Sequence, residues 1–347
     1  MSEDKRRLVF NIIKAEIPDV TVETMATPFD KLSIDSFGFI SMRARLEHYL
    51  GFEIDDEQWM SAICPEDILK ITLNSHNVTT QQIASDVSIR SFNINMPQMA
   101  MSGLSESWLF KELGDMHWNM ITDGLGSSSS ELIDGSGSRL YATFTRISFA
   151  MNALSSYEEN SHLKLRKSSF SRFGSGLFFS EIDIIPGGRA NLMSSFTKRK
   201  DDGSNLSLQK GQPKIPEFCS IPSLEEYPSF AMDYKTLKAA IPHEKIFETE
   251  YEIVPQHDIN GVGLLYFATY PMISDICLSR YTNMDSLSTD QRDVFYFGNC
   301  DRKETLVFRI HSQTESGASV QSKTSISRKS DGELMAFLVT THRKIGK

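Results

Sequence analysis

Long apolar runs are missing from this 347-residue chain, and no stretch reaches the ~18 residues that a membrane-spanning helix needs. The opening residues, MSEDKRRLVF, lack a signal-peptide profile, so a cytoplasmic location without a membrane partner is expected. Cysteine is scarce. Cys64, Cys219, Cys277 and Cys300 lie far apart with no CxxC pair, which argues against a disulfide framework and against a zinc site, and no metal is expected. Positive charge is short too: 36 Lys+Arg face 45 Asp+Glu, and a net charge of −9 makes a nucleic-acid backbone a poor partner. Walker A, GxGxxG after a strand, GxSxG and HExxH are all absent, which removes the common nucleotide-binding, serine-hydrolase and zinc-protease signatures.

What is there suffices for a sizeable core. The chain is 40% hydrophobic and 23% charged, and its length suggests two or three domains. Charge is unevenly spread: residues 1–75 carry 14 acidic and 8 basic side chains, so −6 of the −9 lies in about a fifth of the chain. That fifth reads as a separate domain. Leu8, Val9, Ile12, Ile13 and Ile17 recur at helical spacing up to Pro18. Phe39, Met42, Leu46, Tyr49 and Leu50 mark a second helix closed by Gly51, and Cys64-Pro65-Glu66-Asp67 opens a third.

Asp35-Ser36 at the start of the second helix carries the chemistry. A serine there stands beside unpaired N–H groups, a setting suited to a phosphodiester, although most serines before helices are only N-caps. The surroundings decide between the two. Residues 1–75 resemble an acyl carrier protein, and LSIDSFGFI looks like the family's attachment motif LGIDSL, with Ser33 for the usual glycine and Phe37 for the usual leucine. The resemblance implies 4′-phosphopantetheine on Ser36, installed by a phosphopantetheinyl transferase, with its thiol holding an acyl group as a thioester. Arg43 and Arg45 depart from the acidic face usual for that helix. Residues 76–91, polar and without a period, read as a linker.

From 92 to 347 the chain is expected to be α+β in two related halves, about 92–200 and 215–347, joined by the connector 198–215. In each, a helix comes early and antiparallel strands follow. The helices are expected over Leu104–Trp118, with Ser105 as N-cap, and over Gly263–Ile273, apolar nearly all round. Strand-like runs cover Arg139–Phe149, Leu177–Ile185, Asp293–Phe297, Glu304–His311 and Glu333–Thr341. A buried helix wrapped by an antiparallel sheet, present twice, resembles a double hotdog fold. MPQMAMSGLSESWLFKELGDMHW (96–118), the Asp258-Ile-Asn260-Gly261 stretch through Tyr270, RDVFYFGNCD and SRKSDGELMAFLVTTHRK occur in the order seen in the LnmK-type family of polyketide biosynthesis, bifunctional acyltransferase/decarboxylases. The resemblance implies a malonyl- or methylmalonyl-CoA donor and polyketide synthase or other carrier-dependent partners.

Decarboxylation of a malonyl-type thioester needs a carboxylate taken out of water and donors preorganised for the enolate oxygen. Ser102, Gly103 and Leu104 before the first helix, and Gly261 and Val262 before the second, could supply backbone N–H groups, or the glycines could merely turn the chain. The family is described as using an acyl-accepting tyrosine. Tyr141 is the only tyrosine in the comparable strand, and the equivalent position could instead fall on Thr143 or Phe144. Asp258, in a D-x-x-G that also looks like hotdog acyl-thioesterases, could act as base or nucleophile, or simply cap a helix, and Asn260 could orient the thioester oxygen. His117 is expected to be a core or surface residue. Residues 96–108 lack the histidine of hotdog dehydratases, although His257 adjoins Asp258. Three functions therefore stand: transfer and decarboxylation onto the Ser36 arm, thioester hydrolysis or dehydration on it, and a non-catalytic docking module.

Overall fold

The computed structural model describes residues 3–34, 36–50, 54, 56–74, 89–128, 130–200, 204–216 and 219–345. The chain divides into two compact units, Met1–Ser88 and Ile89–Lys347. In the first, the described residues form helices α1 (Glu3–Glu16), α2 (Ser36–Leu50), α3 (Asp56–Ser61) and α4 (Pro65–Asn74). Val9, Ile13 and Ile17, four residues apart, lie on one face and bury against Met42 and Leu46 of α2, Trp59 of α3, and Ile68 and Leu69 of α4. Phe39 wedges between Phe29 and Trp59. Arg43 and Arg45 are spent locally: Arg43 donates to Glu47 and to the Ile54 carbonyl, and Arg45 donates to Glu16. Ser36 is the first residue of α2, and Asp35 lies outside the described residues.

Most of the expected linker, residues 76–88, also lies outside the described residues. From Ile89 onward the chain is already strand, so the second unit begins three residues before the expected 92.

Its first half runs β1 (Ile89–Asn93), a small hairpin of β2 (Met99–Ala100) and β3 (Gly103–Leu104), helix α5 (Glu106–Leu125), then β4 (Tyr141–Met151), β5 (His162–Phe173), β6 (Leu177–Ile185) and β7 (Gly188–Lys198). Ser105 caps α5 by accepting the Trp108 N–H, and Gly126, left-handed at φ 61°, ends it. Strand β8 (Gln209–Gly211) falls inside the expected connector and adds to β7, and helix α6 (Ser229–Ala239) follows. The second half runs β9 (Phe247–Glu252), a short turn of helix α7 (Pro255–Asp258), helix α8 (Thr269–Leu278), then β10 (Leu287–Tyr296), β11 (Thr305–Ser316), β12 (Ser319–Arg328) and β13 (Leu334–Lys344).

All the long strands join one antiparallel sheet in the order β1-β5-β6-β7-β4-β10-β13-β12-β11-β9. Read outward from the β4–β10 junction, both halves have the same order, and each wraps one helix. Ile147 pairs with Val294 across that junction, both fully buried. The core is shared: Leu109, Phe110 and Leu113 of α5 and Tyr270, Ile273 and Cys277 of α8 lie against Phe149 and Val294 of the sheet. Burying a side chain of that size contributes roughly 1.5–3 kcal/mol, so this common core holds the halves together.

The expected helix over Gly263–Ile273 is corrected to Thr269–Leu278. Residues 261–268 are loop, buried at Gly263, Leu264, Leu265 and Ala268, because the Val262, Leu264 and Leu265 N–H groups go to asparagine side chains rather than to helical carbonyls. α6 and most of β5, β7 and β12 had no expectation. The strands alternate polar and apolar weakly, as in KLRKSSFSR, where one sheet face meets solvent.

Candidate active site

The loop leading into α8 is built from the inside of the protein outward. Asp258 is fully buried, and its carboxylate accepts the Val254 N–H at 2.8 Å and the Tyr251 hydroxyl at 3.1 Å. Burial, with the Asp258 charge adding to it, pushes the Tyr251 phenol up to about 12, so Tyr251 stays a donor. The Asp258 carbonyl takes the Tyr266 N–H, which closes the loop. Inside that loop Asn260 Oδ1 accepts the Val262 and Leu264 N–H groups at 3.1 and 3.0 Å. Asn299 grips Leu265 from both sides, accepting its N–H and donating to its carbonyl. Gly263 sits at φ 81°, in the left-handed region, and Asn205 Nδ2 donates to its carbonyl and to that of Cys300.

A cavity of about 560 Å³ opens against this loop. One wall is Asn260, Leu264, Leu265 and Phe267 with Tyr270, and beside it are Tyr296 and residues 297–299. The other wall belongs to the first half: Ala142 to Thr145 of β4 with Ser195 and Thr197 of β7. Phe144 meets Phe267 across the floor, ring centroids 4.6 Å apart, and Gly114 of α5 supports that floor, since a Cβ there would stand 2.2 Å from the Phe267 ring.

Most of the polar groups lining this space are already engaged. The Thr143 and Thr145 hydroxyls donate to the Ser195 and Met193 carbonyls. Tyr270 and Tyr296 donate to Gly298 and Phe267 carbonyls, and burial raises both phenols well above their ordinary value, so neither is a phenolate. Arg328 is held by Asp331 and by the Asn299 carbonyl. Among the lining side chains, Thr197 Oγ1 is buried with no partner, and Asn260 Nδ2, Ser195 Oγ and Lys210 Nζ make no hydrogen bond to a described residue. The lining includes no histidine, and its one carboxylate is the exposed Glu333.

Of the residues singled out in the sequence, Asn260 lines the cavity. Thr143 and Phe144, the alternatives to Tyr141, line it as well. Tyr141 adjoins it, its ring carrying the Arg139 and Arg199 guanidiniums at 5.4 and 5.2 Å. Asp258 lies behind the loop. Gly261 and Val262 belong to the same turn without lining the space, and the Val262 N–H is spent on Asn260. Ser102, Gly103 and Leu104 lie elsewhere, before α5. Gly103 is at φ 118° with the Leu154 carbonyl oxygen only 2.2 Å from where a Cβ would be, and Leu104 is buried.

The head of α5 is closed by charge. Glu106, in its first turn, accepts from Arg292 at 2.7 Å and from Thr289, and Arg292 also reaches Asp275 of α8 and Thr340. Burial opposes the charge on Arg292, but the Asp275 and Glu106 carboxylates outweigh it and hold the guanidinium charged. His342 is buried close to this network, pushed down to about 4 chiefly by burial, with neither ring nitrogen bonded to a described residue. His117 is likewise buried, between the Ser180 and Ser194 hydroxyls at 2.7 Å each, and burial lowers it to about 3. His257 is exposed.

The sequence pointed to the α8 loop but missed Thr145, Thr197, Asn205 and Asn299. The only available signal was Asn299 within RDVFYFGNCD; the others come from segments far apart in the chain. Among the described residues no group of three His, Cys, Asp or Glu side chains could hold a metal, and no helix is long and apolar enough to cross a membrane.

No protein-family model matches the chain, and no curated protein does. Solved structures do. A Lactobacillus plantarum protein assigned as an oleoyl thioesterase is 11% identical with a TM-score of 0.57, covering 75% of this chain and 97% of its own. An acyl-ACP thioesterase from Bacteroides thetaiotaomicron (10% identical, TM-score 0.49) covers 74% of this chain and 97% of its own. The 12:0-ACP thioesterase from Umbellularia californica (11% identical, TM-score 0.49) covers 74% and 96%. The likeness to the first establishes the fold: residues 89–347 form a double hotdog domain. At such identity it says nothing of the reaction.

Proposed function

We propose that the hotdog domain acts on an acyl thioester and, more finely, that it decarboxylates a malonyl- or methylmalonyl-type CoA unit and passes the shortened acyl group to phosphopantetheine on Ser36. One observation carries the finer reading. The cavity at the α8 loop offers an amide donor, Asn260 Nδ2, and an unpartnered hydroxyl, Thr197, but no histidine and only one exposed carboxylate to activate water. Loss of CO₂ needs no such base. The bond to the carboxyl carbon breaks and its electron pair moves into the thioester as an enolate, with Asn260 Nδ2 donating to the enolate oxygen. The enolate carbon then takes a proton from water. The arm's thiol adds to the carbonyl, the CoA thiol leaves with the proton, and a new thioester results. Having the carrier in the same chain raises the local concentration of the accepting thiol, which lets weak contacts suffice.

Hydrolysis is the second reading, favoured by the fold likeness to a protein assigned as a thioesterase. Intact-protein mass separates the two. After co-expression with a phosphopantetheinyl transferase and incubation with malonyl- or methylmalonyl-CoA, the arm should carry acetyl or propionyl, and Ser36→Ala should carry nothing. An arm that stays free with these donors, yet loses pre-loaded acyl groups, gives the answer to hydrolysis. Asn260→Asp keeps the oxygen that accepts the two loop N–H groups but removes the donor, so the chemical step should slow about 10²–10³-fold while the fold persists.

A further inference from the structure

In the second unit most arginines are matched to carboxylates: Arg292 to Glu106 and Asp275, Arg146 to Asp293, Arg328 to Asp331, Arg343 to Asp290. Three are not. Arg139, Arg199 and Arg302 have no carboxylate partner among the described residues, and they gather at one place beside the cavity. Arg199 Nη2 and Arg302 Nη2 stand 3.2 and 3.4 Å from the point where a Cβ on Gly263 would be. Arg139 and Arg199 share the ring of Tyr141. Arg199 is fixed in direction by neutral groups alone, its Nε and Nη2 donating to Asn205 Oδ1 and its Nη2 also to the Val262 carbonyl. The neighbouring residue makes the contrast: Lys198 is spent on Asp134 at 2.6 Å. Like charges brought together in a chain with nine more acidic than basic groups repel unless an anion lies between them. Guanidinium forks match phosphate oxygens in geometry.

We propose that Arg139, Arg199 and Arg302, converging on Gly263 and Tyr141, form a cradle for the phosphate of a phosphopantetheine-linked thioester whose acyl end enters the adjoining cavity. This rests on the thioester reading above. Gly263 has a role in the cradle beyond its turn, because any side chain there would enter the space between the two guanidiniums. Asn205 ties cradle to cavity, since it orients Arg199, holds the Gly263 carbonyl and lines the cavity itself. The same phosphate chemistry is offered by coenzyme A and by a carrier-bound arm.

The test uses the full chain with Ser36→Ala, so that no arm of its own competes, titrated by calorimetry with coenzyme A, phosphopantetheine and pantetheine. The two phosphate-bearing ligands should bind roughly tenfold or more tightly than pantetheine, the gain expected of charge-assisted pairing. Arg302→Glu, a change at an exposed side chain that leaves folding intact, should abolish that advantage without weakening pantetheine, and Arg199→Gln should do the same. Coenzyme A tighter than phosphopantetheine would place nucleotide phosphates in the cradle as well, whereas equal affinity assigns it to the arm's own phosphate. Equal binding of all three ligands overturns the cradle and leaves the thioester reading standing. So does a phosphate advantage that survives Arg302→Glu, as it would if Asp201 and Asp202, outside the described residues, neutralise the arginines. Failure of all three to bind overturns both.

Discussion

The two helix heads of the hotdog domain stand at corresponding places and are treated in opposite ways. At the head of α5 the facing strand β10 contributes Arg292, fully buried, which locks Glu106 and the partly exposed Asp275 into an ionic knot. At the loop before α8 the facing strand β4 contributes Thr143 and Thr145, and a cavity of about 560 Å³ remains.

Breaking the closed head should give the largest effect. Arg292→Met leaves the Glu106 and Asp275 carboxylates without their cation in surroundings where Arg292 is wholly buried, so a loss of about 3–5 kcal/mol in denaturant unfolding is expected. An unchanged midpoint would mean that solvent reaches the knot.

Acid should reveal how dry the closed head is. His342 is depressed to about 4 from an ordinary 6.5, so the unfolded chain takes up its proton first. Stability is then full above about pH 6.5 and falls toward pH 4, by about 1.4 kcal/mol per pH unit for this one group. Comparing unfolding of the parent with His342→Gln across that range should show the slope reduced by one proton. Equal slopes would place His342 in contact with water. His117, lowered to about 3, adds its own slope in both proteins.

The mildest change sharpens the open head from behind. Gly114→Ala puts a methyl group into the Phe267 ring, which must shift toward the cavity, so the protein should lose about 1–3 kcal/mol by overpacking and favour shorter acyl chains. A chain-length profile unchanged from the parent would show that the floor is not the limit.

The sequence made some of this legible and hid the rest for physical reasons. α5 announced itself through Ser105 and the Trp108, Leu109, Leu113 stripe, and the expected Leu177–Ile185 is β6 to the residue, because it buries alternate apolar side chains. The loop before α8 misled: its apolar residues are buried as expected, but Asn260 and Asn299 take the N–H groups that a helix would have used. Side-chain substitution for backbone pairing has no periodic signature. Nor does the cavity, whose walls come from β4, β7, the α8 loop and the segment around Asn299, far apart in the chain and brought together by the β4–β10 pairing and by side-chain contacts. Among the chosen residues Asn260 was found because it stands in a motif, whereas Thr145 and Thr197 look like any strand threonine.

The β4–β10 junction has a consequence for synthesis. During translation β4 emerges with β7 to cover one of its edges, but its other edge waits until Leu287–Tyr296 has left the ribosome. At about 5–20 residues per second that gap lasts on the order of ten seconds, during which a nearly complete half-sheet offers an open edge to any other chain. A ribosome stalled in that interval would release a sticky half-domain, so joining the two halves through one sheet also sets a deadline for the nascent protein.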